Sequence, residues 1–137
     1  MLRPDVTIDQ FHQRQQGMLP GQFGVRIVRI DEGRMDSEMT IQPWMHAPNG
    51  FLHAASVIAL ADSACGYGCV ISLPEGASGF TTVELKANFL GTAREGVLRC
   101  ECVAEHTGRT THVWSATVLN PEGRRIALFR CTQMILW

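Results

Sequence analysis

Apolar positions fall into three regimes along the chain. From Val25 to Ile41 they alternate with polar ones on either side of Asp31-Glu32-Gly33. This predicts two strands, Val25 to Ile30 and Arg34 to Ile41, joined by a tight hairpin. From Leu52 to Leu73 small and aliphatic residues run almost unbroken. Ala54, Ala55, Val57, Ile58 and Leu60 leave no polar face, which predicts a helix buried on all sides. After Gly79 the period drops to two. In Thr81 to Leu90, Val83, Leu85, Ala87 and Phe89 alternate with Thr82, Glu84, Lys86 and Asn88, the pattern of a half-buried strand. Three more strands are expected over Val97 to His106, Thr110 to Asn120 and Arg125 to Trp137. They are separated by turns at Thr107-Gly108-Arg109 and Asn120-Pro121-Glu122-Gly123. Ahead of the hairpin, residues 7–16 predict a short helix with Thr7 or Asp9 near its cap, ended by Gly17, Pro20, Gly21 and Gly24.

The order is hairpin, long helix, antiparallel meander. Strands that must bury one face around a single apolar helix define an α+β fold, a curved antiparallel sheet wrapped around one long central helix. At 137 residues the chain is expected to be one domain spanning 1–137. Its 45% hydrophobic and 18% charged residues are those of a globular protein. A formal net charge of −1 supplies no global field for nucleic acid or an anionic membrane, so neither is expected as a partner. The long helix is interrupted by Gly66, Gly68 and Pro74 and is too short for a convincing membrane span. The five cysteines are odd in number and no signal peptide precedes them, so a cytoplasmic location is expected. Cys65 and Cys69 are i,i+4 on the helix, and Cys100 and Cys102 share a strand face. Neither pair has zinc-site spacing, so no metal is expected and the cysteines read as small buried hydrophobes.

One charge alters this picture. Between Glu38 and Glu75 the only Asp, Glu, Lys or Arg is Asp62, inside the apolar helix. Such a carboxylate is costly unless it is paired or used. Burial raises its pKa, as in a general base or nucleophile, although a structural acceptor for a neighbouring turn needs the same placement. His53 lies nine residues earlier. At ~100° per residue the two sit on opposite sides of one helix, about 13 Å apart along it. A site that uses both is therefore built from two helices across a two-fold axis, which predicts a homodimer. Lys86 is the only lysine, which favours arginine for any phosphate contact. Arg94, Arg109, Arg124 and Arg125 all lie at or near turns.

The run Asn49-Gly50-Phe51-Leu52-His53-Ala54-Ala55, followed by Leu60-Ala61-Asp62, resembles the N-x-x-G-x-x-H-G-G…L-A-D signature of hotdog-fold acyl-CoA thioesterases, and most nearly the phenylacetate-degradation (PaaI-like) branch. Thr82 to Leu90, the turn Ala104 to Thr110 and the turn Glu122 to Ala127 resemble later segments of the same family, so the likeness covers roughly Gly24 to Ile135. It implies a hotdog fold and hydrolysis of an acyl-CoA thioester to free acid and CoA, without a cofactor. It also implies a homodimer whose sheets join edge to edge, often paired again as a dimer of dimers. By the same resemblance the Ala54 amide is the oxyanion donor, Asp62 the general base or nucleophile, and Thr82 the residue that positions water, with Asn49 and His53 completing the catalytic set. Gly50, Ala55, Phe80, Arg94, His106 and Arg109 are expected to bind substrate. Two departures stand out. Ala54-Ala55 replaces the family's Gly-Gly, and the family's Asn lies two places further upstream of His than Asn49, which leaves His46 as another polar candidate in that loop. A hotdog dehydratase or hydratase and a non-catalytic acyl-CoA-binding protein are the alternatives. Phe51, Tyr67 and Phe80 suit an aromatic or a medium-chain acyl group.

Overall fold

The computed structural model describes residues 2, 3 and 5–137. Two short helices open the chain, α1 (Ile8–Arg14) and α2 (Leu19–Gln22). The first is held by a reciprocal cap: Thr7 Oγ1 accepts from Gln10 N–H, and the Gln10 side chain accepts from Thr7 N–H. β1 (Arg26–Asp31) and β2 (Arg34–Thr40) follow, then the long helix α3 (Ala54–Ile71), and then β3 (Gly79–Phe89), β4 (Val97–Thr107), β5 (Thr111–Leu119) and β6 (Arg125–Leu136). All pairings are antiparallel, and the six strands form one sheet in the order β1-β2-β4-β5-β6-β3. α3 packs against β2, β3, β4, β5 and β6. This is the expected α+β hotdog arrangement, a sheet curled around one helix.

Three details differ from the sequence-based expectation. First, the strands after the helix are not a simple meander. β4, β5 and β6 are consecutive neighbours, but β4 pairs with β2, and β3 sits beyond β6 at the sheet edge. Periodicity marks a strand without naming its neighbours, so this order was not legible. Second, β3 is not half-buried by simple alternation. A bulge between Thr82 and Glu84 leaves Val83 unpaired. The residues opposite the buried face of β6 are therefore Phe80, Thr82, Leu85, Ala87 and Phe89, because the extra residue switches which alternate residues point inward. As an edge strand it is largely exposed, with Val83, Leu85 and Phe89 all open. Third, α3 is not covered on all sides. Val57, Leu60, Ala61, Ala64, Cys65 and Gly68 face the sheet, whereas a stripe through Ile58, Asp62, Gly66 and Val70 is only partly covered.

By length and hydropathy α3 would pass as a membrane span, but half of it is buried, as in a core helix. At Gly68 it lies tight against the sheet. A Cβ there would lie 2.7 Å from Cζ3 of Trp114, a fully buried ring. Around this contact sit Met35, Met39, Leu60, Leu98 and Ile126, all essentially inaccessible to solvent. All five cysteines are free and buried.

Candidate active site

The first half of the site is the start of α3. His53 is the N-cap residue, in an extended conformation, and its Nδ1 accepts from Ala55 N–H at 2.9 Å. Its carbonyl accepts from Ser56 N–H at 2.9 Å. With those donors used, Ala54 N–H has no acceptor among the described residues. The loop before the helix turns at Gly50, whose φ of 87° suits glycine. Asn49 Oδ1 accepts from Phe51 N–H at 3.2 Å, and Ala47 N–H donates to the Phe51 carbonyl at 2.7 Å. The two ring nitrogens of His46 each lie 2.9 Å from a carbonyl oxygen, those of Pro43 and Arg94, which ties this loop to the one after β3. The Arg94 guanidinium lies 5.9 Å from the centre of the Phe51 ring. A mainly apolar cavity of about 470 Å³ is lined by Phe51, Leu52, Ala54, Val57, Phe89, Gly91 and Thr92.

The second half lies around Asp62. A cavity of about 340 Å³ is lined by Asp62, Ser63, Gly66 and Tyr67 from α3, Phe80 and Thr82 from β3, and Leu19 and Pro20 from α2. Asp62 Oδ1 is buried and has no hydrogen-bond partner among the described residues. Burial pushes its pKa above the usual carboxylate range. The wall from α2 is held by a chain of contacts. Phe11 stacks on Tyr67 with ring centres 4.6 Å apart, Tyr67 OH donates to Gln15 Oε1 at 2.7 Å, and Gln15 Nε2 donates to the Val25 carbonyl at 2.6 Å.

The fold thus brings Asp62, Thr82 and Phe80 to one cavity and Ala54 to another; of the other expected site residues, Asn49, Gly50 and His53 belong to the loop that leads into Ala54, and Arg94 lies over the Phe51 ring. The two are not joined within one chain. Ala55 N–H is taken by the His53 ring, which leaves Ala54 as the open donor. Arg109 lies elsewhere, beyond the far end of α3, with its guanidinium 4.5 Å from the Trp137 ring centre. It lines a third cavity of about 560 Å³ with Arg3, Ser72 and Glu75. His106 is exposed beside Gly108, where β4 bulges between Ala104 and His106. Sequence reasoning missed Leu19 and Pro20, which reach Asp62 only through the tertiary path of the N-terminal segment. It also missed Ser63, and Gly66 and Val70, which helical spacing of four and eight from Asp62 could have flagged. No cluster of metal-ligating side chains occurs among the described residues.

These features lie on a hotdog frame, with an open Ala54 N–H at the start of the long helix and, among the described residues, no partner for Asp62 Oδ1. The model of the thioesterase superfamily matches residues 49–127, and the chain belongs to that superfamily. Among its relatives, 1,4-dihydroxy-2-naphthoyl-CoA hydrolase of Escherichia coli (strain K12) is 28% identical over 134 residues, covering 96% of each chain. The proofreading thioesterase EntH of Klebsiella pneumoniae is 26% identical over 132 residues, again covering 96% of each. A mutant of thioesterase PA1618 from Pseudomonas aeruginosa superposes with a TM-score of 0.92 at 25% identity, over 98% of this chain and 97% of that one. The E. coli PaaI protein of the phenylacetic acid degradation operon shares the fold, with a TM-score of 0.83 at 21% identity over 95% and 91% of the two chains.

Proposed function

We propose that this protein hydrolyses an acyl-CoA thioester at a site completed by a second copy of the chain. The observation that carries this reading is the position of the two half-sites on β3. Thr82, near one end, lines the Asp62 cavity, and Phe89, at the other, lines the Ala54 cavity. Seven residues of strand separate them by about 23 Å. When an exposed edge strand pairs antiparallel with its own copy about a two-fold axis, each end meets the opposite end of its partner. The Asp62 half of one chain is then set against the Ala54 half of the other. The exposed apolar residues Val83, Leu85 and Phe89 give the edge a reason to pair. The resulting homodimer can pair again as a dimer of dimers.

In this reading the thioester carbonyl oxygen accepts from Ala54 N–H, where the helix terminus also favours negative charge. Asp62 takes a proton from water as its oxygen attacks the carbonyl carbon. The tetrahedral intermediate collapses, the C–S bond breaks, and the CoA thiolate leaves and is protonated. The alternative route has the Asp62 carboxylate attack directly, giving an anhydride that water then opens. Thr82 orients the water. His53 acts by holding the cap, and Asn49 and Gly50 shape the loop that presents Ala54. Arg94 is suited to a CoA phosphate at the mouth of the helix-start cavity. His106 and Arg109 are left for more distant parts of CoA. The E. coli and K. pneumoniae relatives, named as a CoA hydrolase and a thioesterase, support this chemistry.

Ala54→Pro tests it directly. Proline suits the first position of a helix and lacks only the N–H, and His53 already has the extended conformation that a residue before proline requires. With an acyl-CoA panel and free thiol as the readout, turnover should fall by roughly 10²–10³, the loss for one oxyanion donor, with the melting temperature unchanged or higher. A fully active Ala54→Pro protein would remove the helix start from the mechanism. A wild-type protein that binds acyl-CoA without releasing thiol would instead be a binding protein.

A further inference from the structure

Thr82 does not stand alone on the inner face of the sheet. It pairs with Gln133 on β6, and Gln133 pairs with His112 on β5, so the three form a row across neighbouring strands. Gln133 and His112 are both completely buried. Among the described residues, neither the nitrogen nor the oxygen of the Gln133 amide has a hydrogen-bond partner, nor does Nε2 of His112. His112 Nδ1 lies 3.4 Å from Cys69 Sγ on α3. A buried amide with both ends open is costly, and apolar residues of similar size would fill the same space without that cost. Its cross-strand neighbour Thr82, at the exposed end of the row, lines the Asp62 cavity.

The protonation states give the row a direction. Burial, followed by the neighbouring Cys131, pushes the Cys69 thiol up to about 12, so it keeps its proton and donates to His112 Nδ1. Burial also lowers the pKa of His112, with His106 acting in the same direction and the Gly108 backbone opposing it. The ring is then neutral, with its one proton on Nε2. Gln133 is the cross-strand neighbour of His112, and a glutamine that accepts on Oε1 still has an NH₂ to donate. A threonine hydroxyl that accepts such a bond must direct its own proton elsewhere.

We propose that Gln133 and His112 are positioning residues that set the direction of the Thr82 hydroxyl. The order of donation is Cys69 to His112 to Gln133 to Thr82, closing directly or through single waters between the paired side chains. The Thr82 proton then points into the Asp62 cavity, toward the oxygen of the attacking water, and the water's own proton is left for Asp62. No bond to carbon forms or breaks in this row. It fixes one hydrogen-bond direction, and this role rests on the thioesterase reading above.

The test compares Gln133→Met, which keeps length and removes both polar atoms, with Thr82→Val and the double variant. If Gln133 acts through Thr82, Gln133→Met lowers kcat about tenfold or more, the worth of one oriented hydrogen bond, and leaves KM nearly unchanged. Its melting temperature holds or rises. The double variant is then no slower than Thr82→Val alone. Full activity in Gln133→Met, or losses that multiply in the double variant, would overturn the proposal. A second measurement depends on neither the folding of Gln133→Met nor catalysis. The side-chain NH₂ signals of Gln133, observed by nitrogen-15 glutamine labelling, should move in Thr82→Val and also in His112→Phe. Signals that stay in place in Thr82→Val end the coupling even if the protein proves to be an active thioesterase. Signals that move in a protein without turnover keep the row and reject the hydrolase.

Discussion

At the residue scale, the proposed chemistry depends on how Asp62 is held. Among the described residues its Oδ1 has no hydrogen-bond partner, and burial alone raises its pKa. Asp62→Asn keeps the shape and removes the charge, so turnover should fall by roughly 10²–10⁴, the range for losing a general base. The pH dependence has a definite sign. Unfolded, Asp62 titrates in the ordinary carboxylate range; folded, it holds its proton to higher pH. The folded state therefore binds more protons in between, and the stability this group contributes is present at acid pH and lost as pH rises through the folded pKa. The melting temperature of Asp62→Asn relative to wild type should thus rise from acid to neutral pH, and the acid limb of wild-type activity should lie above the usual carboxylate range. An Asn variant that is less stable at neutral pH yet fully active per folded molecule would make Asp62 a structural acceptor.

The critical element is α3, because it carries both Ala54 and Asp62 of the proposed site and its depth in the sheet sets where they lie. Gly68 allows that depth, with the Trp114 ring filling the space a side chain would take. Trp114 is inaccessible to solvent and cannot swing aside. Gly68→Ala should cost about 1–3 kcal/mol, as overpacking of a dense core does, even though alanine favours a helix more than glycine. Urea denaturation measures this, and a stabilised Gly68→Ala protein would mean that α3 is free to lift. The cap at the other end is of a different kind. His53 spends its ring nitrogen on Ala55 N–H, and the donor left over is the one the proposed reaction needs.

Across the whole molecule the prediction is complementation. Ala54→Pro and Asp62→Asn each remove one half of every site. When the two inactive proteins are mixed and allowed to exchange subunits, each heterodimer regains one intact site, so activity should recover to about a quarter of the wild-type sites. Recovery requires an active site shared between chains, and its absence despite demonstrated exchange would place a complete site in one chain. Leu85→Lys, on the exposed edge of β3, should yield monomers by sedimentation and lose activity in proportion, since a charge on an edge strand blocks pairing.

Much of this protein was set by local sequence alone. The single charge at Asp62 inside an apolar run, the hairpin at Asp31-Glu32-Gly33 and the turns after His106 and Asn120 follow from residue type and spacing, and they were enough to define the helix and most strands, while the family came from the resemblance carried by Asn49 to Ala55 and Leu60 to Asp62. The nine-residue separation of His53 and Asp62 also placed the helix start and Asp62 apart, as their different cavities do, because helical geometry is local. Strand order was not local. β3 lies beside β6 because a long connection carried it across the sheet, and the bulge at Val83 then changed which of its residues face inward. The row from Thr82 through Gln133 to His112 is likewise invisible along the chain, where its members are separated by tens of residues. Only the register of three paired strands brings them side by side, and only burial of their polar atoms distinguishes them from ordinary strand residues.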